Sequence, residues 1–181
     1  MAKQYTEINE QIKTFIKKQK MFFVGTAGCE GRVNVSPKGM DTFRVLGRNR
    51  IAWLDLTGSG NESAAHVLEN GRMTIMFCAF QGEPNILRLY GKAHAVHVGD
   101  SHWDDLVSHF PNIPGARQVF DMQVDMVQTS CGYAVPLYGY IGDRDKLTEW
   151  AKKKGEEGIR QYWLDNNMVS IDGKKTGMKV E

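Results

Sequence analysis

The chain has 181 residues, of which 24% are charged, and a formal net charge of +2; this composition is typical of one globular domain with a hydrophobic core. Its basic residues are spread along the sequence and form no arm or stripe, so the sequence predicts no nucleic-acid partner. No apolar run approaches the roughly 20 residues that cross a bilayer, and the first residues lack an apolar signal region. We therefore expect a cytoplasmic protein with no membrane partner.

The first half of the chain reads as one helix followed by paired strands. Apolar residues at helical spacing predict an amphipathic helix over residues 6–20, behind a Thr6 cap. Beyond it, runs of β-branched and aromatic residues are separated by short turns, which is the pattern of β-hairpins. The expected strands are residues 21–27, 32–37, 42–47 and 50–56.

The second half mixes helices with strands. A helix over residues 62–70 should end at Gly71, because glycine accepts the left-handed conformation of a C′ residue. A polar helix over residues 143–167 should be interrupted at Gly155 or Gly158, and the tail after it is expected to be loosely held. The other expected elements are strands 72–80 and 86–98, a helix over 100–110 with an Asp or Ser cap, and a strand-like stretch near 121–142.

Strands that follow one another through short turns, with few and peripheral helices, favour an antiparallel sheet or barrel over alternating βα units. The sequence therefore predicts a mainly β protein with attached helices, of the α+β class. We expect residues 1–142 to form the barrel domain with its N-terminal helix. Residues 143–181 should form a C-terminal helix and polar tail that pack on the same domain.

The cysteines and histidines do not predict a metal site. Cys29, Cys78 and Cys131 are odd in number and widely spaced, which supports neither a disulfide framework nor a structural zinc site. His94 and His97 should point to opposite faces of one strand, and no carboxylate at ligand spacing completes a site with His102 and His109. His66 is expected to be an ordinary packed residue of a helix. The sequence also contains no Gly-x-Ser-x-Gly elbow and no catalytic Cys-His pairing. No catalytic side chain is assigned, which indicates a borrowed cofactor if the protein is an enzyme.

The most informative stretch is the turn 58-GSGNES-63, between the strand 50–56 and the next helix. It approaches the GxGxxG dinucleotide fingerprint, but the βαβ unit that this motif requires is missing, which argues against a nucleotide-binding α/β enzyme. Two interpretations remain open: a plain turn with a helix cap, or a helix N-terminus that binds an anion. In the second interpretation, Ser59, Asn61 and Ser63 add hydrogen-bond donors.

A second stretch, 34-NVSPKG-39, ends a strand at a proline and places Lys38 beside a rigid Ser-Pro corner. Lys38 is either an exposed lysine at a strand end or a fixed cation that faces an anionic or electron-accepting group. The residue types alone do not decide between these two interpretations.

Three blocks of the sequence, in this order and at these spacings, resemble the FMN-binding split-barrel superfamily related to pyridoxamine 5′-phosphate oxidase. The blocks are 21-MFFVGTAGCEGRVNVSPKG-39, 50-RIAWLDLTGSGNESAAHVLENGRMTIMF-77 and 88-RLYGKA-93. The stretch 129-TSCGYAVP-136 and the helix after it are similar to a subgroup of small members. The resemblance implies an FMN-binding split β-barrel. In that fold, the strand ending at Lys38 runs along the flavin ring and the turn at 57–63 meets the ring edge and the phosphate.

The resemblance also implies which residues hold FMN. The oxidases proper carry an Arg-Lys pair that grips the phosphate where this chain has 63-SA-64. Asn61, Ser63 and backbone amides, with Lys38 or Arg88, are expected to replace that pair. The cofactor-binding residues that follow from the resemblance are Val35, Ser36, Pro37, Lys38, Leu56, Thr57, Gly58, Ser59, Gly60, Asn61, Ser63 and Arg88.

The function implied by the resemblance is two-electron oxidoreduction with FMN, acting on a small-molecule substrate or electron donor of unknown identity. We expect a homodimer with flavin at the subunit interface, and the apolar strands 72–80 and 86–98 offer surface for that contact. The alternative is a non-catalytic module of the same fold that binds flavin or haem.

Overall fold

The computed structural model describes residues 2–180, in which the chain forms eight strands and four helices. The strands are β1 (Lys3–Tyr5), β2 (Phe22–Thr26), β3 (Asn34–Lys38), β4 (Phe43–Val45), β5 (Arg50–Leu56), β6 (Arg72–Cys78), β7 (Ile86–His97) and β8 (Ala116–Ser130). The helices are α1 (Glu10–Lys18), α2 (Glu62–Asn70), α3 (Trp103–Val107) and α4 (Lys146–Asn166). No helix within the described residues is long and apolar enough to cross a membrane.

All strand pairs are antiparallel and belong to one curled sheet, ordered β3-β2-β6-β7-β8-β5-β4, with β1 beside the far half of β8. The predicted hairpins are confirmed as the pairs β2–β3, β4–β5 and β6–β7. The predicted mainly antiparallel split barrel is confirmed as well. Among residues 2–180 the sheet contains no parallel βαβ unit, which removes the nucleotide-binding α/β interpretation.

Strand β5 is the most buried part of the sheet. Trp53 faces the larger apolar cluster under α1 and stacks on Phe120 with ring centroids 4.6 Å apart. Leu54 faces a second cluster built with Leu106 of α3. A strand buried on both faces is held firmly, because its side chains lose many contacts if it shifts. The end of β5, where the glycine turn begins, is therefore a fixed point of the fold.

Several element boundaries differ from the predictions. Helix α1 begins at Glu10 rather than after Thr6, because the Asn9 side chain accepts a hydrogen bond from the N–H of Ile12 at 2.9 Å and caps the helix there. Strand β1 was not predicted. Helix α3 is shorter than expected, and its N-cap is His102 without a side-chain hydrogen bond, so the expected Asp or Ser cap is wrong.

Strand β8 was placed too late in the sequence. It runs from Ala116, which follows the left-handed Gly115 at φ 81°, and it ends at Ser130. Residues 131–142 contain no strand. Gly132 at φ 64° and Pro136 explain this, because a left-handed residue and a missing N–H both interrupt a ladder. The predicted helix end at Gly71 (φ 73°) and the helix break at Gly155 (φ 68°) are confirmed.

The tail after α4 is held closely, so the expectation of a loose tail is wrong. Asn167, Ser170, Thr176 and Met178 are all buried. The tail turns back on itself through a β-bridge between Val169 and Lys175. This return brings the C-terminal segment against the glycine turn that follows β5.

Candidate functional site

A cavity of about 630 Å³ lies where β3, the end of β5, the first turn of α2 and residues 165–171 meet. Its volume is in the range of small-molecule sites. Eight of the twelve predicted cofactor residues line it, namely Ser36, Lys38, Leu56, Gly58, Ser59, Gly60, Asn61 and Ser63. The two stretches that the sequence singled out therefore face one another across a single cavity.

The other four predicted residues lie elsewhere. Val35 and Pro37 point to the opposite face of β3, and Val35 is 66% exposed. Thr57 is buried under the turn, where its hydroxyl donates to the carbonyl of Gly115 at 2.8 Å and accepts from Trp163 Nε1 at 2.8 Å. Thr57 therefore anchors the turn to β8 and α4.

Arg88 is also remote from the cavity. It lies on β7 and donates to Ser130 Oγ at 3.2 Å. Across the sheet, Arg88 of β7 pairs with Met76 of β6, Met76 pairs with Phe23 of β2, and Phe23 pairs with Pro37 of β3. Three strand spacings of about 4.8 Å separate the Arg88 backbone from β3, which is roughly 14 Å.

A buried carboxylate organises the charges of the cavity. Asp55 is 1% exposed; its Oδ2 lies 2.5 Å from Arg117 Nη2 and accepts from Gln118 Nε2 at 2.8 Å. Its Oδ1 lies 3.3 Å from Lys38 Nζ, and Lys38 also sits over the Trp53 ring at 4.8 Å. Burial alone would raise the pKa of Asp55, but the charges and hydrogen bonds of these neighbours outweigh it, so the pKa is lowered. Asp55 therefore stays ionised at neutral pH.

Two side chains donate hydrogen bonds to the carbonyl groups of Gly58 and Gly60 in the glycine turn. Arg117 Nη1 donates to the carbonyl of Gly60 at 2.9 Å, and Asn167 Nδ2 donates to the carbonyl of Gly58 at 3.1 Å. In a planar trans peptide the N–H points opposite to the C=O. The N–H groups of Ser59 and Asn61 therefore point away from Asn167 and Arg117.

The first turn of α2 has no side-chain cap. Asn61 occupies the N-cap position, but its side chain makes no capping bond. It accepts instead from Gln118 Nε2 at 2.7 Å and donates to the carbonyl of Asn167 at 3.4 Å. The side-chain cap expected in the plain-turn interpretation is therefore absent, and the anion-binding interpretation stays a prediction. The first N–H groups of a helix carry partial positive charge, and when no side chain caps them they are open to water or to a ligand.

Ser63 is the hydroxyl nearest to this helix start. It lies in the first turn of α2, is 8% exposed and lines the cavity. Its oxygen accepts from Asn34 Nδ2 at 3.2 Å and from Thr26 Oγ1 at 3.5 Å. A polar cluster on β2, β3 and α2 thus surrounds the hydroxyl.

The charged lining of the cavity is not cationic. Lys38 and Arg117 are opposed by the carboxylates of Asp55, Glu62 and Asp165. An anionic group in this cavity must therefore be held chiefly by neutral N–H and O–H donors. Among residues 2–180, no cluster of three or more His, Cys, Asp or Glu side chains is arranged to hold a metal ion.

Sequence reasoning missed Arg117, Asn167, Asn34 and Thr26 in this site. One signal was available, because Asp55 is a carboxylate inside the apolar run 50-RIAWLDL-56. A buried charge requires a partner, so this position indicates a cation elsewhere in the chain. Nothing in the local sequence around Arg117 identifies it as that cation.

Comparison with known proteins gives consistent matches. A model of the family described as pyridoxamine 5′-phosphate oxidase matches residues 8–131. The chain is 33% identical over 189 residues to the pyridoxamine 5′-phosphate oxidase family protein ustO of Aspergillus flavus, covering 93% of this chain and 75% of that protein.

Two solved structures share the fold at lower identity. A HupZ variant of Group A Streptococcus is 17% identical, covers 68% of this chain and 99% of its own, and has a TM-score of 0.54. A protein of Lactobacillus delbrueckii, assigned to pyridoxamine 5′-phosphate oxidase, also gives 17% identity and a TM-score of 0.54, covering 68% of this chain and 94% of its own.

Proposed function

The chain belongs to the pyridoxamine 5′-phosphate oxidase family, and from that premise we propose that it binds FMN in the cavity between β3 and the turn 57–61. The observation that carries this proposal is the uncapped first turn of α2. Its N–H groups, together with those of Ser59 and Asn61, are the kind of donors that bind a phosphate. These backbone donors therefore fit the phosphate end of FMN.

The other cavity residues fit the remainder of the cofactor. The inner face of β3 presents Ser36 and Lys38, and Leu56 adds apolar surface at the end of β5. The Asp55 contact limits the movement of the Lys38 ammonium group. Lys38 would hold a positive charge against the electron-rich form of the cofactor.

We propose that the protein is an oxidoreductase acting with a small-molecule substrate or electron donor. When bound, FMN supplies the two-electron chemistry. Asp55 stays ionised because its pKa is lowered, so it serves to hold Lys38 and Arg117 and does not act as a proton donor. The chain's own contribution is then to bind, orient and set the charge around the cofactor.

The alternative to an FMN-dependent oxidoreductase is a non-catalytic module of the same fold that binds haem. Haem iron in proteins is held by His, Cys, Met or Tyr. None of these types occurs among the described residues that line the cavity, so the cavity favours flavin over haem. A flavin module without turnover is distinguished from an oxidoreductase by stopped-flow reduction with nicotinamide donors and reoxidation with oxygen.

Purified protein should take up FMN and show the visible absorption bands of a flavin. Riboflavin, which has the same ring and ribityl chain, should bind at least about tenfold more weakly because it lacks the charged hydrogen-bonded phosphate. Calorimetric titration with each ligand measures both affinities. Absence of any FMN binding at high micromolar concentration would contradict the proposed cofactor.

We also propose that the protein works as a homodimer in the cytoplasm. Strands 72–80 and 86–98, expected to form the contact, correspond to β6 and β7, which lie between β2 and β8 and have no free edge. The exposed apolar side chains are concentrated elsewhere, at the β3 edge and in residues 131–142. Seven of the twelve exposed large hydrophobic side chains among residues 2–180 lie there, namely Val33, Val35, Tyr133, Leu137, Tyr138, Tyr140 and Ile141. The other five, Leu68, Val98, Leu164, Val169 and Ile171, lie elsewhere. The concentrated apolar surface favours an isologous contact.

Replacing Leu137 and Ile141 together with aspartate should convert a dimer into a monomer of 20.4 kDa. Both side chains are exposed, at 77% and 102%, so the melting temperature at low protein concentration should hardly change. Light scattering measures the mass. Leu164→Asp is the matched control, because Leu164 is an exposed leucine of α4. A wild-type protein that binds FMN as a monomer would contradict the dimer.

A further inference from the structure

Ser63 belongs to a hydrogen-bond cluster that also contains Thr26, Asn34 and His66. Thr26 is buried, and its Oγ1 accepts from Asn34 Nδ2 at 3.3 Å. The same oxygen lies 3.1 Å from His66 Nδ1 and 3.5 Å from Ser63 Oγ. Thr26 has one proton, so it donates either to the histidine or to the serine.

The burial of His66 decides between these two donors. His66 is 1% exposed, and its Nε2 has no hydrogen-bond partner among the described residues. A proton on Nε2 would bury an N–H without an acceptor, and unpaired buried N–H groups are rarer than unpaired acceptors. We therefore assign the proton to Nδ1, which then donates to Thr26. Thr26 then donates its own hydroxyl proton to Ser63 Oγ.

Ser63 is left with one free hydrogen-bonding function. A hydroxyl oxygen accepts two bonds and donates one. Asn34 and Thr26 fill both acceptor positions of Ser63, and no described residue accepts its proton. Because Ser63 lines the cavity, that proton is the group it can offer to a ligand.

We propose, on the basis of the FMN-binding function above, that Thr26 and Asn34 are positioning residues that fix the Ser63 hydroxyl as a donor to the phosphate. This chain then selects the phosphorylated flavin through a neutral donor and helix N–H groups. The cations of the cavity contribute little to that selection, since three carboxylates in its lining, Asp55, Glu62 and Asp165, oppose Lys38 and Arg117.

The test compares FMN and riboflavin affinities in matched variants. Ser63→Ala should weaken FMN binding about tenfold and leave riboflavin unchanged, as expected for a lost bond to a charged group. Thr26→Val keeps the shape of the side chain but removes the hydroxyl, and it should weaken FMN roughly three- to fivefold. Thr26→Ser, which keeps the hydroxyl, should retain wild-type FMN affinity.

A double-mutant cycle shows whether Thr26 acts through Ser63. In the Ser63→Ala background, Thr26→Val should change FMN affinity by less than about twofold, because the group that it positions is already absent. An equal effect in both backgrounds would mean that Thr26 only supports the fold, and it would overturn the proposal. Equal losses for FMN and riboflavin in the Thr26→Val protein would overturn it as well.

Two further results separate this inference from the proposed function. Wild-type protein that fails to bind FMN removes the proposed cofactor and the inference together, before any variant is made. Wild-type protein could prefer FMN over riboflavin and lose this preference in Lys38→Met but not in the Ser63 and Thr26 variants. FMN would then be the cofactor, and a cation rather than Ser63 would bind its phosphate. The positioning role of Thr26 and Asn34 would then be wrong. Thermal melting of each variant controls for folding.

Discussion

Replacing Arg117 with methionine should lower the free energy of unfolding by about 3–5 kcal/mol, because the buried Asp55 carboxylate loses its closest charged partner and keeps only Lys38 and Gln118. Arg117 is 4% exposed and donates to Asp55, to the carbonyl of Gly60 and to Asn167 Oδ1. The substitution therefore also releases the glycine turn. Urea unfolding of the wild-type and variant proteins measures the difference.

The double variant Asp55→Leu with Arg117→Met is the control for this prediction. Replacing both members of a buried pair with apolar residues is often neutral or stabilising, so the double variant should recover most of the stability that Arg117→Met loses. FMN binding should stay impaired, because Gly60 and Lys38 have still lost their partners. A loss below about 1 kcal/mol in the single variant would show that the pair is not the support of this site.

The same pair gives the stability a pH dependence of known sign. The pKa of Asp55 in the folded protein lies below its ordinary value of 3.8. A carboxylate with a lowered folded pKa contributes stability that is present above the unfolded pKa and is lost as the pH falls toward the folded one. The wild-type protein should therefore lose stability below about pH 4, more steeply than the double variant.

The sequence alone predicted the strands, turns and helix ends that depend on residues close together in the chain. Alternating apolar residues and short turns marked the three hairpins, and Gly71 marked the end of α2, because each depends on residues close together in the chain. The same alternation separates Ser36 and Lys38 from Val35 and Pro37. A strand turns successive side chains to opposite faces, so one stretch could not place all four in the cavity.

The parts of the site that escaped prediction depend on long-range contacts. The Arg117 partners Asp55, Gly60 and Asn167 are 62, 57 and 50 residues away along the chain. The tail reads as polar and loose, yet Asn167 is fully buried beside the turn. A polar segment is exposed unless buried polar groups elsewhere in the fold can form hydrogen bonds with it. Here Asn167 forms such bonds with Gly58, Asn61 and Arg117.

The role of Asn61 changes for the same reason. The sequence alone makes its side chain a phosphate donor equivalent to that of Ser63. In the structure the carboxamide is committed to Gln118 and Asn167, while the Ser63 proton is free. In the proposed FMN site, backbone N–H groups and one oriented hydroxyl would take the place of the Arg-Lys pair of the oxidases.

Replacing Lys38 with methionine should lower the midpoint potential of bound FMN by about 30–60 mV. For a two-electron couple, about 30 mV corresponds to 1.4 kcal/mol, which is the scale of one charge acting across a partly solvated site. Lys38 keeps net influence although it contacts Asp55, because Asp55 is also paired with Arg117. Removing the ammonium group leaves the reduced cofactor with less positive charge nearby, so reduction becomes harder. Spectroscopic titration with a reference dye measures the potential.

Two matched variants define what that shift means. Lys38→Arg keeps the charge and should hold the potential within about 10 mV of wild type, roughly a third of the 30 mV that corresponds to a tenfold change in the equilibrium constant. Lys92→Met removes a lysine of β7 whose ammonium group donates to the Asn70 carbonyl, outside the cavity, and it should leave the potential unchanged. A drop in Lys38→Met alone would place the lysine beside the redox centre. If instead the potential of Lys38→Met equals that of the wild type, Lys38 serves only to pair Asp55, and the cofactor ring does not lie along the inner face of β3.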